Sequence, residues 1–264
     1  RRTIQPVGAD VSVFQEFGGG RLHPENYDFS KAFSGWETSG AFLSAIEHNA
    51  LLGYQRTNNV WYSVLNENTD VHMLEIKSSW EGASTNLNLA KYLKSTFPII
   101  TNNENKVNVI LEMSFTGMPL RTARIAILAK KGDKVLALNP QSGALETFHP
   151  QAYIEGTTAP KFQIRTRLPP GIDDSENDVY EAVSRLRTFN FSIEDTDITD
   201  YEVEVRIYGT DSYNARVIPM YVNFISLKFE DGAESPKGNI YKTVQGANYS
   251  KAHDTDTTIF GDYL

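Results

Sequence analysis

Cysteine is absent from all 264 residues of the chain. The absence excludes thiol catalysis, disulfide bonds and thiolate metal sites. It fits a reducing compartment, and it fits equally a particle that passes through both reducing and oxidising surroundings. The absence of cysteine therefore limits the chemistry of the chain but does not indicate its compartment.

Basic residues are also scarce, because 25 Lys and Arg stand against 33 Asp and Glu, which gives a formal net charge of −8. No run of basic residues is longer than two. Such a surface does not hold nucleic acid by releasing counterions over its whole area, so any contact with RNA is expected at a few local patches. No stretch of eighteen apolar residues occurs either, and no membrane span is predicted.

Motifs for catalysis are missing. The five histidines form no HExxH or HxH pattern, no GxSxG elbow is present, and Gly18-Gly19-Gly20 lacks the preceding strand and following helix of a nucleotide fold. The sequence therefore predicts a protein that is not an enzyme and that needs no cofactor.

Two acidic clusters are the candidates for a metal site, although the dispersed histidines could also assemble a zinc site in space. Hard cations prefer carboxylate oxygens, so a divalent cation at an interface between subunits would also relieve the repulsion within such clusters. Solvated acidic loops remain the more favoured interpretation. The candidate ligands are Asp173, Asp174, Glu176, Asp178, Asp195 and Asp197.

Residues that favour strands are plentiful, with 14 Phe and 13 Tyr beside 3 Trp and 4 Met. Apolar and polar residues alternate over 106–115, 161–168 and 201–208, which is typical of strands with one packed face. About nine strands are predicted in total, without a βαβ rhythm. The expected fold is an all-β antiparallel sandwich.

Two short helices and two extended arms complete the predicted organisation. Apolar residues at helical spacing indicate helices over 41–52 and 87–97, the second ended by Pro98. Residues 1–58 are predicted as an N-terminal arm with a short helix, 59–231 as the sandwich domain, and 232–264 as an extended C-terminal tail.

One ordered set of features, spread over about residues 60–230, resembles picornavirus-like capsid proteins. A Trp, a short amphipathic helix rich in Leu, a Pro, a strand, a Gly-x-Pro turn and an Arg followed by an aliphatic strand recur in that family in the same order. The corresponding residues here are Trp80, Leu87 to Phe97, Pro98, Val107 to Phe115, Gly117-Met118-Pro119 and Arg124 to Leu128.

The resemblance implies an eight-to-nine-stranded jelly-roll sandwich that serves as a structural subunit of a small icosahedral capsid. Its partners would be other capsid subunits, a packaged RNA held by few contacts, and possible host receptors; it would reside in the virion and in the host cytoplasm during assembly. A divalent cation could sit between subunits. Aromatic residues of the arms would contact neighbouring subunits, namely Phe14, Phe17, Trp36, Tyr249 and Phe260.

Two other functions are compatible with a β-rich core. A plant-virus movement protein would need a basic tail, whereas the chain after Gly232 contains three Lys and no Arg. A secreted carbohydrate-binding β-sandwich could use Trp and Tyr as a platform for sugars, although Trp36, Trp61 and Trp80 all fall early in the chain. A hydrolase on a sandwich scaffold is the least favoured alternative.

Overall fold

A computed structural model describes most of the chain between residues 21 and 230. The described ranges are 21–23, 35–39, 43–46, 49–57, 60–67, 72–77, 86–99, 101, 105–171, 173–174, 179–210, 212–213 and 216–230. The residues that were predicted as the C-terminal tail lie outside these ranges.

Nineteen strands and one 3-10 turn make up the described secondary structure. The strands are β1 (Arg21–His23), β2 (Glu37–Ser39), β3 (Leu43–Ile46), β4 (Asn49–Thr57), β5 (Val60–Glu67), β6 (Met73–Ile76), β7 (Tyr92–Pro98), β8 (Lys106–Gly117), β9 (Thr122–Lys131), β10 (Lys134–Leu138), β11 (Leu145–Thr147), β12 (Ile164–Arg167), β13 (Asp173–Asp174), β14 (Val179–Glu181), β15 (Val183–Glu194), β16 (Glu202–Thr210), β17 (Ser212–Tyr213), β18 (Arg216–Val217) and β19 (Met220–Glu230). The 3-10 turn is Ile198–Asp200.

Two antiparallel sheets form a sandwich, which confirms the predicted fold class. Sheet I has the strand order β15-β8-β19-β6-β3, with β1 also paired to β19, and sheet II has the order β11-β10-β9-β16-β7-β2, with β12 also paired to β9. The chain crosses between the sheets at β6, β7, β8 and β9 and again at β15, β16 and β19, as it does in double-sheet jelly rolls. A smaller four-stranded sheet has the order β13-β14-β4-β5.

The core between the sheets follows from the two-residue period of the strands. In β8 the alternate residues Val107, Val109, Leu111, Met113 and Phe115 are buried in the main apolar cluster. In β16 the corresponding residues of the same cluster are Val203, Val205 and Ile207. Side chains of a strand alternate between its faces, so these residues fix which face of each sheet points inward.

The predicted helices are wrong in the described residues. Leu93 and Phe97 fit a helical period, but they also fit a two-residue period, and both side chains are buried from strand β7 while Lys94 and Thr96 are not. Strand β7 bonds to both β16 and β2, so pairing with distant strands outweighs the local helical pattern. The region predicted as the other helix contains β3 and the first four residues of β4, and these strands bond to β6 and β5.

The predicted N-terminal arm also needs correction between residues 21 and 57. This region supplies strands to both main sheets, because β1 pairs with β19 and β2 pairs with β7. Trp36, predicted as an interface residue, is buried in the sandwich core, where its ring removes apolar surface from water. Phe14, Phe17, Tyr249 and Phe260 lie outside the described residues.

Within the described ranges, no helix has the length and apolar character needed to cross a membrane.

The turn between β8 and β9 holds a strained residue. Leu120 has a φ of 63° and its side chain is 42% exposed. A left-handed backbone costs roughly 1–2 kcal/mol for a residue with a Cβ, whereas glycine adopts it without that cost. The backbone N–H of Leu120 donates to the carbonyl oxygen of Pro169 at 3.1 Å, which fixes the turn against the segment after β12.

Replacing Leu120 with Gly is therefore expected to raise the free energy of unfolding by about 0.5–1 kcal/mol, because relief of the strain exceeds the added freedom of the unfolded chain. Leu89→Gly is the matched control, since Leu89 is more exposed and has no left-handed backbone. Urea denaturation should show that Leu89→Gly lowers the free energy of unfolding. Equal losses in both variants would contradict a strained turn.

Candidate functional site

The outward face of sheet II carries a connected set of buried and partly buried polar contacts. Because Val203, Val205 and Ile207 point into the core, the intervening Glu204 and Arg206 point outward. On the neighbouring strands, Lys94 of β7 lies beside Arg206, and Leu128 of β9 lies beside Glu204.

Two loops cover one end of this outward face. Residues 86–91 and 148–163 contribute to a second apolar cluster, and the backbone N–H of Leu87 donates to the carbonyl oxygen of Pro150 at 2.9 Å. The buried members of the cluster are Leu87, Ala90, Ala126, Leu128, Ala137, Phe162 and Tyr208. The loops therefore form a raised rim, and sheet II forms the floor beside it.

Arg206 lies where the rim meets the floor. Its guanidinium carbon is 4.7 Å from the centre of the Tyr92 ring and 5.6 Å from that of Phe148. Its Nη1 donates to Asn88 Oδ1 at 2.8 Å and to the Tyr208 hydroxyl at 3.3 Å. Both rings attract the cation through their faces, so the guanidinium plane is held rigidly.

Glu204 is the counter-ion of Arg206 and is almost fully buried. Its Oε1 accepts a hydrogen bond from Arg206 Nε at 2.5 Å, and its Oε2 accepts one from Lys130 Nζ at 2.8 Å. Burial alone would raise the pKa of Glu204, but the hydrogen bond from Lys130 and the charge of Arg206 outweigh it, and the pKa is lowered. The carboxylate therefore stays charged and keeps both cations in place.

Tyr208 belongs to the same hydrogen-bond network as Arg206 and Glu204. Its hydroxyl donates to the carbonyl oxygen of Leu87 at 2.9 Å, which ties β16 to the first rim loop. Burial raises the pKa of Tyr208 to about 12, so the phenol remains a neutral donor. Tyr92 packs against its ring edge-to-face, with the ring centres 5.5 Å apart.

Tyr92 and Lys94 form the accessible part of the site. Both side chains are partly exposed on β7. Lys94 Nζ is 3.0 Å from a carboxylate oxygen of Glu37 on β2, and its hydrogen bond to Glu37 raises the pKa of Lys94. The site thus presents one aromatic ring, an amide, an ammonium and a carboxylate side by side.

Glu146 fastens the second rim loop. Its carboxylate oxygens are 2.6 Å from Lys161 Nζ, 2.7 Å from Asn139 Nδ2 and 3.0 Å from Ser142 Oγ. The hydrogen bond from Lys161, followed by that from Asn139, lowers the pKa of Glu146 to about 2. Lys161 lies close before β12 and Glu146 lies in β11, so this pair joins the two ends of the loop.

Sequence reasoning missed this site, although a signal for it exists. Residues 202–208 alternate charged and apolar side chains, which the sequence indicates as one packed face and one face that is solvated or paired. Because Arg206 and Glu204 are two residues apart, they share a face. Their partners Tyr92 and Asn88 come from a segment predicted as a helix, so the sequence could not bring them together.

Two of the predicted cation ligands, Asp195 and Asp197, each lie beside a lysine. Asp195 Oδ2 is 2.6 Å from both Lys134 Nζ and the Tyr201 hydroxyl, and the hydrogen bond from Lys134 holds the pKa of Asp195 well below its usual range. A cation would have to displace that lysine. Asp197 adopts a left-handed backbone and lies 4.0 Å from Lys131.

The other predicted ligands stay untested. Asp173 and Asp174 form β13, but their side chains are outside the description, as are Glu176 and Asp178 altogether. Within the part of the chain that is described, no group of three or more His, Cys, Asp or Glu residues could hold a metal ion.

No protein-family model and no curated protein matches the sequence. Among solved structures, the enzymatically active domain of bacteriophage CBA120 tailspike protein 4 is 10% identical, and the match covers 77% of this chain and 21% of that one, with a TM-score of 0.28. A family 28 carbohydrate-binding module specific for non-crystalline cellulose is 14% identical over 77% of this chain and 92% of that one, with a TM-score of 0.31. The K1 cleaved adhesin domain of Lys-gingipain from Porphyromonas gingivalis W83 is 14% identical over 80% and 98%, with a TM-score of 0.33.

This comparison corrects the predicted function. The similar structures are carbohydrate-binding modules, an adhesin domain and a tailspike rather than capsid proteins, which contradicts the prediction of a capsid subunit with other capsid subunits, packaged RNA and a host receptor as partners. At TM-scores of 0.28 to 0.33 these similarities assign no function to the chain.

The Glu146 contact predicts a defined dependence of stability on pH. A carboxyl with a lowered pKa stabilises the fold above the unfolded value of about 4.5, and the stabilisation is lost as pH falls towards 2. Glu146→Gln should therefore unfold more easily than the parent chain at pH 7, with the difference vanishing near pH 2. Urea denaturation at several pH values measures this difference in the free energy of unfolding.

Glu155→Gln, at an exposed position of the same loop, provides the control and should leave the stability curve unchanged. A deficit of Glu146→Gln that persisted undiminished at pH 2 would contradict the role assigned to the charge of Glu146.

Proposed function

We propose that the chain is a non-catalytic binding module that holds a polysaccharide on the outward face of sheet II, beside the rim formed by residues 86–91 and 148–163. The observation that carries the proposal is the partly exposed Tyr92 ring, held against the fixed Arg206 guanidinium and flanked by Asn88 and Lys94.

The chemistry of a sugar matches this arrangement. A pyranose ring has an apolar face of C–H groups, which packs against an aromatic ring, and a circumference of hydroxyls, which need donors and acceptors in fixed directions. Tyr92 supplies the ring, and its two flexible torsions are restricted by Tyr208 and Arg206. Asn88, Lys94 and Glu37 supply amide, ammonium and carboxylate groups within the same area.

The scaffold supports such a role because it is rigid. The floor is a sheet whose strands are paired on both sides at β16 and β9. The rim is tied to the floor by Tyr208 and Glu146. A site whose polar groups are already held in place loses little conformational freedom when it binds.

Tyr92→Ala should weaken polysaccharide binding about fivefold or more, because loss of the ring removes a stacking contact of about 1 kcal/mol and frees Arg206. Tyr92→Phe should bind nearly as well, since it keeps the ring. Affinity electrophoresis across a panel of plant, fungal and bacterial polysaccharides identifies a ligand, and calorimetry then measures the variants.

Ile110→Ala serves as the control, because Ile110 is a partly buried residue on the outward face of sheet I. It should bind like the parent chain. Circular dichroism confirms that each variant is folded. A panel without any binding polysaccharide, or equal binding by folded Tyr92→Ala, would refute the proposal.

A further inference from the structure

The outward face of sheet II has the opposite charge balance to the chain as a whole. Four carboxylates lie on its strands, those of Glu37, Glu146, Glu202 and Glu204. They stand against more basic side chains on the same face, namely Lys94, Arg124, Lys130, Arg165, Arg167 and Arg206. The chain carries a net charge of −8, so this face is a basic area on an acidic protein.

The one acid that is buried there is already engaged. Glu204 is occupied by Arg206 and Lys130, so it adds no free negative charge for a ligand to meet. The described hydrogen bonds of Arg206 use Nε and Nη1 and its side chain is 7% exposed, so Arg206 holds Asn88 and Tyr92 in position and leaves contact with a ligand to the more exposed cations of the face.

Two arginines face each other on neighbouring strands of this surface. Arg165 on β12 is the register partner of Arg124 on β9, and like charges directly opposite each other are unfavourable. Arg165 and the next outward residue of its strand, Arg167, are both exposed. An anion that contacts both strands would reduce this repulsion.

A buried amide stands beside the same pair. Gln163 is 5% exposed, and its Oε1 accepts a hydrogen bond from Arg124 Nη1 at 3.1 Å. Its Nε2 is buried without a hydrogen-bond partner in the described part of the chain. A buried donor left unsatisfied costs free energy, so an acceptor at this position would be stabilising.

We infer that the ligand of this face is an acidic polysaccharide, whose carboxylate or sulfate groups contact the Arg124–Arg165 pair and Lys94 while a sugar ring packs on Tyr92. The inference rests on the proposed function and adds the chemical class of the ligand. Carboxylate and sulfate share the property that matters here, an anion with several acceptor oxygens.

The test compares polymers that differ only in charge. Polygalacturonate is paired with its fully methyl-esterified form, and dextran sulfate with dextran, each titrated into the full chain at low and high salt. The acidic member of at least one pair should bind about tenfold more tightly or better, and its affinity should fall as salt rises. Which pair shows the preference distinguishes carboxylate from sulfate.

Single neutralisations locate the contact. Arg165→Gln and Lys94→Gln should each weaken binding of the acidic polymer about threefold or more and reduce its salt dependence. Lys106→Gln is the matched control, because it removes the same charge from an exposed position on sheet I and should bind like the parent chain.

The outcomes separate the inference from the proposed function. Preferred binding of the neutral polymers, weakened by Tyr92→Ala, would overturn the acidic ligand and leave the glycan-binding role intact. Absence of binding by every polymer would overturn both. Equal binding of polyuridylate RNA, with the same loss in Arg165→Gln, would show a general polyanion surface and overturn the assignment to an acidic polysaccharide.

Discussion

The outward face of sheet II depends on one buried carboxylate, that of Glu204, and on the two cations that bind it. A charge removed from water is costly unless it is paired and hydrogen-bonded, and Glu204 meets that condition through Arg206 and Lys130. Removing one member of such a buried pair typically costs about 3–5 kcal/mol, so the three side chains act as a unit. Their position in turn fixes the guanidinium against Tyr92 and Asn88.

The same constraint links the floor of the site to its rim. Arg206 and Tyr208 lie on one face of β16 because they are two residues apart, and both contact the loop over residues 86–91. The second rim loop is fastened independently through Glu146 and Lys161. The binding surface is therefore built from irregular segments held by a regular sheet, which is the common arrangement for binding sites on rigid scaffolds.

Sequence reasoning was strong where one strand face is wholly apolar. The alternation in 106–115 and 201–208 correctly predicts β8 and β16, because burial against the opposite sheet enforces a two-residue period. The strand predicted over 161–168 is longer than β12, and Phe162 packs in the second apolar cluster instead of the main core. Sequence reasoning failed at residues 87–97, since the same apolar residues fit two periods and only pairing with β16 and β2 decides between them.

The candidate site could not be predicted from the sequence, for a related reason. Its contacts join Arg206 to Asn88 and Tyr92, more than a hundred residues away along the chain. The resemblance to capsid proteins rested on the order of local features, and an order of strands is shared by folds with unrelated functions. Trp36 illustrates the same limit, because its aromatic character suggested an interface whereas its burial places it in the core.

The most direct test of this account is to map where a bound acidic oligosaccharide lies, by recording amide chemical-shift changes in the isotopically labelled chain. The account predicts the largest changes on β7, β12 and β16, around Tyr92, Arg165 and Arg206, with small changes on β8 and β15. Changes concentrated on the outward face of sheet I would contradict it, because the described residues of that face include no counterpart of the contact between Tyr92 and Arg206.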